Sequence, residues 1–292
     1  MSRRGLALFI LLSALWGLPY LLIKVAVAEV SVPFIVFARS ALGAAVLLPF
    51  ALRGVGFAAT RAHWRPILAF AAIEMIIPQG LIVHGELHVS SSMAGLLVAA
   101  TPIIAVALHR LRRDHERLGA GRLCGLLFGL AGVATLALPA LDGDFVSVLE
   151  VLLAAACYAM GSMIAARWLS DVPSIPMTTA CLAVAALTYL VPALGHWPPA
   201  WPSTQASLAI VALGIACTAV AFAAFFLLIR EVGPERAVVI TYVSPAVAVT
   251  AGVVLLGEPL DGRILVAFAL ILCGSWLATS RGPRIINQAQ ST

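Results

Sequence analysis

Residues 90–118, SSSMAGLLVAATPIIAVALHRLRRDHERL, and residues 233–260, GPERAVVITYVSPAVAVTAGVVLLGEPL, are two versions of one segment. Each holds an apolar run of about 20 residues, the length of a helix that crosses a bilayer. With an offset of 143, Thr101-Pro102 falls on Ser244-Pro245. After the loop that follows, the offset is 142, and Glu116 and Leu118 meet Glu258 and Leu260. The correspondence runs outward through the chain: Pro33 falls on Pro176, Pro49 on Pro192, Gly132 on Gly274, and Trp16 on Tyr158. The chain is a duplication.

Composition fixes the solvent. Hydrophobic residues make up 62% of the 292 and charged residues 11%, with a mean hydropathy of +1.05. A soluble domain of this size is nearer 45–50% apolar and roughly 25% charged. So few charges cannot cover a water-facing surface. The apolar runs are ten, at about 5–28, 33–52, 66–85, 90–109, 119–138, 148–168, 173–194, 205–228, 235–256 and 261–280. They leave only short connections and no room for a soluble domain. The reading is an all-α integral membrane protein with repeats at 5–138 and 148–280 and a polar tail at 281–292. A cleaved leader is disfavoured, because the first run exceeds 20 residues and carries Pro19 and Lys24.

Lys and Arg give the orientation. Fifteen of the 18 fall on the N-terminal side of a ten-span chain, only Lys24 and Arg263 on the other, and Arg39 lies within the second span. Both termini are therefore expected in the cytoplasm. The same asymmetry explains the net charge of +5 without nucleic acid as a partner. Five spans per repeat is an odd number, so the second repeat must be inserted upside down. The loop after span four carries Arg110, Arg112, Arg113 and Arg117, while its counterpart after span nine carries Glu258, Asp261 and Arg263. Inverted repeats are the signature of alternating-access transporters, with the site near the midplane between the halves. The fold expected is ten transmembrane helices in two inverted five-helix repeats around a central cavity.

The ten spans, Leu15-Trp16-Gly17 in the first helix, Thr-Pro and Ser-Pro in the fourth and ninth, and Gly257-Glu258-Pro259-Leu260 followed by Gly274 resemble the drug/metabolite transporter superfamily, EamA-type. The first repeat departs from the pattern at Asp114-His115-Glu116-Arg117. The resemblance covers about residues 5–280. It implies export of amino acids, or of other metabolites, across a bacterial inner membrane, and the chain looks like the amino-acid exporters, including the aromatic branch. Efflux of drugs or other small amphipathic molecules is the alternative.

Six prolines sit inside spans, and each strips one backbone donor from its helix. Pro102 frees the carbonyl of Val98, Pro245 that of Thr241, Pro78 that of Glu74 and Pro19 that of Leu15. These four are candidate hinges, and the symmetric pair Pro102 and Pro245 is the best of them. Glu74 is the one carboxylate near a helix middle, and a charge there must face a cavity, be paired or be protonated. It is a candidate site for a substrate amine or a coupling proton, with a structural ion pair to Arg39 as the rival reading. Trp16, Tyr20, Gln79, Tyr158, Ser162, Thr241 and Tyr242 supply the remaining aromatic and polar lining. Gly121, Gly125 and Gly129 form a small-residue ridge for close helix packing.

His84, Glu86 and His88 alternate in a way that could hold zinc, but a short surface loop explains them more simply, and no metal or other cofactor is assigned. The five cysteines all lie in apolar runs and read as buried hydrophobes. No nucleophile elbow, zinc-protease motif or phosphate loop is present, so no enzyme is read. The partners implied are a small-molecule cargo and the lipid bilayer. The chain is expected to act as a monomer or homodimer.

Overall fold

The computed structural model describes residues 2–53, 56–112, 119–138, 144–233, 237 and 239–279. The Asp114–Arg117 departure and the tail at 281–292 lie outside the described residues. Ten apolar helices run in order: α1 (Arg3–Val27), α2 (Val32–Leu52), α3 (Trp64–Gly85), α4 (Ser91–Val98, resuming as Thr101–Arg112), α5 (Ala120–Ala137), α6 (Phe145–Trp168), α7 (Ser174–Gly195), α8 (Thr204–Val232), α9 (Ile240–Leu256) and α10 (Gly262–Thr279). Nine are long enough to span a bilayer, and the described part of α9 is one residue shorter than the shortest of them. A short helix, Gly56–Ala62, fills the connection before α3.

The packing obeys the duplication. α2 lies along α7 and α5 along α10, each a helix against its own repeat partner, and α4 crosses α9 in the same way. α1 packs on α8 and α9, as its counterpart α6 packs on α3 and α4. A two-fold axis relating α1–α5 to α6–α10 generates every one of these pairs. The α5–α10 contact needs glycine: a Cβ on Gly274 would lie 2.5 Å from the amide nitrogen of Gly129 and 2.8 Å from the carbonyl oxygen of Gly125. The expected ridge holds at two of its three glycines. Gly125 meets the backbone of α10, Gly129 also makes room for Ile103 of α4, and Gly121 faces open space.

Polar contacts gather the loops at one end. Glu29 after α1 accepts from the amide (2.8 Å) and hydroxyl (2.5 Å) of Ser203 before α8. His84 at the end of α3 lies 2.8 Å from Glu150 of α6, and Glu258 after α9 binds the start of α4. Ser2 donates to Glu231 at the opposite end, joining the first and eighth helices. Ten alternating spans require this sorting of loops, which is independent of the charge count. Trp64 and Trp168 belong to that opposite end, each capped by the guanidinium next in sequence, Arg65 at 5.2 Å and Arg167 at 5.6 Å. Such amphipathic belts mark a membrane interface.

Large apolar side chains stand outward along the helices: Leu127 and Leu130 on α5, Leu187 and Val191 on α7, Val254 on α9. In water such a surface would aggregate; in lipid it is satisfied. The Glu29 carboxyl, outside the spans, is held below its ordinary pKa by the hydroxyl and amide of Ser203.

Candidate functional site

Two prolines expected as kinks sit at breaks. Pro19 opens the second half of α1 after Leu18, and Pro102 opens the second half of α4 after a turn at Ala99 and Ala100. At these positions a missing N–H costs nothing, since the first turn of a helix has no acceptor for it. The carbonyl that Pro102 deprives, that of Val98, accepts instead from the Thr101 hydroxyl at 2.7 Å. Its repeat partner Pro245 sits inside an unbroken α9, so the two halves use the same proline differently.

Pro78 follows a wider distortion. Residues Ala71–Ile76 of α3 form a π-helical turn, and the regular helix resumes at Ile77. α8 contains the same feature at Ile215–Val220, an offset of 144, without any proline. There the Thr218 hydroxyl donates to the carbonyl of Leu213, five residues back, at 2.7 Å. π-turns of this sort recur at functional sites because they free backbone groups and re-aim side chains.

The π-turn of α3 carries Glu74. Its Oε2 is buried and has no hydrogen-bond partner. A Cβ on Gly161 of α6 would overlap that oxygen, so the carboxylate lies directly against α6 and glycine is what admits it. The π-turn of α8 carries Thr218 at the equivalent position. Thr218 accepts a long hydrogen bond, 3.4 Å, from Nη2 of Arg39 on α2, and the Arg39 Nε is buried without a partner. Among the described residues Arg39 and Glu74 form no ion pair, contrary to the rival structural reading. Tyr158 of α6 stands within electrostatic reach of both charges. Tyr20 of α1 stands within electrostatic reach of Tyr158 and Arg39.

The other expected lining residues divide. Trp16 packs at a tilt on Phe225 of α8, with 4.8 Å between ring centroids, and meets Phe222 edge-on at 6.0 Å. Gln79 is buried, its carbonyl accepting from Ser40 of α2 at 3.2 Å, which makes it a strut between helices. Ser162 is exposed and returns its hydroxyl to the Tyr158 carbonyl of its own helix, 3.0 Å away. Tyr242 pairs with Thr279 of α10 at 2.6 Å, and Thr241 beside it is half-buried. Tyr158 thus stands within electrostatic reach of Glu74, Arg39 and Tyr20, while Gln79, Ser162 and Tyr242 are engaged elsewhere.

One charged residue was missed. Glu86, read as part of a surface loop, is fully buried, and neither of its carboxylate oxygens has a partner. The Lys24 ammonium is near, but donates to the backbone carbonyls of Glu86 (2.6 Å) and Val89 (2.8 Å). Burial pushes the Glu86 carboxyl well above the ordinary carboxylate range, with Lys24 pulling the other way and Glu258 adding repulsion. Only its place beside the lysine-bearing end of α1 could have hinted at this. His84 is taken by Glu150, and His88 lies 3.3 Å from the Ser147 hydroxyl. No group of three metal-ligating side chains forms among the described residues.

The Gly257-Glu258 pair has a local explanation. Gly257 takes a left-handed φ of 65° to end α9, and the Glu258 amide then bonds the Gly252 carbonyl at 3.1 Å. This turns the carboxylate onto the first turn of α4. Oε1 accepts from the Ser91 amide (2.7 Å) and hydroxyl (2.8 Å), and Oε2 from the Ser92 amide (3.0 Å) and hydroxyl (2.5 Å). Burial alone would raise the Glu258 pKa, but these four donors hold it below the ordinary value. The carboxylate caps a helix of the other repeat.

The chain matches the EamA-like transporter family twice, over residues 3–138 and 146–280. It is 31% identical over 256 residues to the "Aromatic amino acid exporter YddG" of Ancylobacter novellus, covering 85% of this chain and 88% of that one. It is 29% identical over 295 residues to the "Uncharacterized inner membrane transporter YedA" of Escherichia coli K12, covering 94% of each. A "Probable terminal-alkyne amino-acid exporter" of Streptantibioticus cattleyicolor is 27% identical over 82% of this chain and 81% of its own. A solved structure superposes with a TM-score of 0.67 at 21% identity, over 96% of this chain and 98% of that one, which establishes the shared fold. Two tandem matches, on the two halves that the helix packing relates by a two-fold axis, settle the assignment: the chain belongs to the EamA-like transporter family.

Proposed function

We propose that the protein is a secondary transporter that exports amino acids, aromatic ones included, across the bacterial inner membrane by alternating access, with both termini in the cytoplasm. The observation that carries this reading is the 31% identity to an aromatic amino-acid exporter along most of both chains. The site supports it physically. A carboxylate whose buried Oε2 has no partner lies at membrane depth within electrostatic reach of Tyr158, a setting that suits an ammonium group next to an aromatic or aliphatic side chain. Trp16 and Phe225 add aromatic surface on α1 and α8. Cargo contact falls to Trp16, Tyr20, Glu74 and Tyr158, while the breaks at Pro19 and Pro102 and the π-turn before Pro78 supply the hinge points. Phosphorylated cargo would demand several cationic groups in the spans, and Arg39 is the one deep within them.

Overexpression should raise tolerance to toxic amino-acid analogues or dipeptides across several side-chain types. Resistance to lipophilic cations with no gain against amino-acid stress would replace this reading with drug efflux.

A further inference from the structure

Oε2 of Glu74 and Nε of Arg39 are both buried without a partner, and the duplication relates the two turns that carry or hold these groups. Position 74 in the π-turn of α3 corresponds, at the offset of 144 between the two π-turns, to Thr218 in the π-turn of α8. Thr218 is the residue that holds the Arg39 guanidinium. One symmetric scaffold thus carries a carboxylate on the π-turn of α3 and, at the equivalent position on the π-turn of α8, a hydroxyl that accepts from the α2 guanidinium. Tyr158 stands within electrostatic reach of the carboxylate and the guanidinium. Burying Oε2 of Glu74 and Nε of Arg39 with no partner is costly, and such orphans in a native fold call for a missing partner. Glu86 also lies within electrostatic reach of Arg39, but it makes no bond to it and sits with Lys24 and Glu258.

We propose that Arg39 and Glu74 form a zwitterion clamp, in which Arg39 binds the carboxylate of the cargo and Glu74 binds its ammonium. The inference rests on the amino-acid reading above and adds the residues that recognise the two backbone groups and the direction in which the cargo lies. Its carboxylate points to the π-turn of α8 and its ammonium to the π-turn of α3. Thr218 fixes the guanidinium, and Gly161 seats the carboxylate, so both are positioning residues. Because the clamp reads only the groups common to all amino acids, specificity across side chains is broad. The separate charges also explain why the spans hold one carboxylate and one guanidinium in this region without joining them.

Three probes separate the roles on purified protein in detergent: L-phenylalanine, phenethylamine, which lacks the carboxylate, and 3-phenylpropionate, which lacks the ammonium. Wild type should bind phenylalanine most tightly. Arg39→Gln should weaken phenylalanine about 10- to 100-fold, the worth of a charge-assisted hydrogen bond, and leave phenethylamine unchanged. Glu74→Gln should weaken phenylalanine and phenethylamine and spare 3-phenylpropionate. The ratio of phenylalanine to phenethylamine affinity is independent of the folded fraction, and Arg39→Lys, which keeps the charge, should restore part of it should Arg39→Gln fold poorly. Unchanged phenylalanine affinity in Arg39→Gln, or equal loss for amine and amino acid, overturns the clamp while the amino-acid reading stands. A wild type that binds lipophilic cations and none of the three probes overturns both.

Discussion

Replacing Glu258 with alanine removes the carboxylate that ties the two repeats together at the Glu29–Ser203 end of the molecule. Two of its four hydrogen bonds go to backbone amides of the first turn of α4, which have no acceptor within their own helix. A side-chain cap contributes about 1 kcal/mol and a hydrogen bond to a charged group about 1.5–3 kcal/mol. The four bonds share one half-exposed carboxylate and are not additive, which places Glu258→Ala at about 2–3 kcal/mol. Glu258→Gln should cost about half of that, roughly 1–1.5 kcal/mol, because one amide oxygen keeps its pair of donors while the NH2 meets another N–H. The assay is equilibrium unfolding in detergent across pH. The folded pKa of Glu258 is depressed, so its contribution is present above the ordinary glutamate value near 4.3 and is lost as pH falls through the folded value. The difference between wild type and Glu258→Gln should therefore close in acid. A gap that stays constant from pH 7 down to pH 3, or a variant as stable as wild type at pH 7, would refute the capping account.

Three further outcomes follow from the packing and the charges. Gly274→Ala should destabilise by about 1–3 kcal/mol, since the new Cβ meets backbone of α5, whereas Gly121→Ala, facing open space, should be close to neutral; paired melting curves read both. Glu86→Gln should stabilise the protein near neutral pH and leave it unchanged near pH 4, because a carboxyl whose folded pKa is raised loses stability as pH climbs above its unfolded value; the same pH series of melts checks it. Gly161→Ala should fold normally, as the obstructing atom is the end of a flexible side chain, but should push Glu74 off α6 and impair amino-acid binding while keeping the charge; ligand affinity and melting temperature measured together decide this.

Much of this was legible in the sequence for a physical reason. A bilayer imposes one length on every helix, so hydropathy alone sets out the spans, and charge sorting sets their alternation. The repeated prolines and the Gly257-Glu258 turn then give the two-fold relation. The π-turns were not legible. Ile215–Val220 contains no proline, and its extra backbone width is absorbed by the Thr218 hydroxyl, a contact that exists only once the helix is wound. Pro78 was read as a kink in α3, while the distortion lies one turn earlier, at the residues whose carbonyls it disturbs. The bond between Gln79 and Ser40 was not legible either, because Ser40 belongs to another helix. Arg39 was weighed only as a partner for Glu74, since helix order places adjacent spans side by side but does not say which residues of them touch.

Transport itself is the direct test of amino-acid export. Purified protein in liposomes preloaded with unlabelled L-phenylalanine should accumulate labelled phenylalanine, with other amino acids competing and Arg39→Gln and Glu74→Gln each slowing the exchange at least tenfold. Exchange of lipophilic cations with no exchange of any amino acid, by a protein that melts normally, would contradict it.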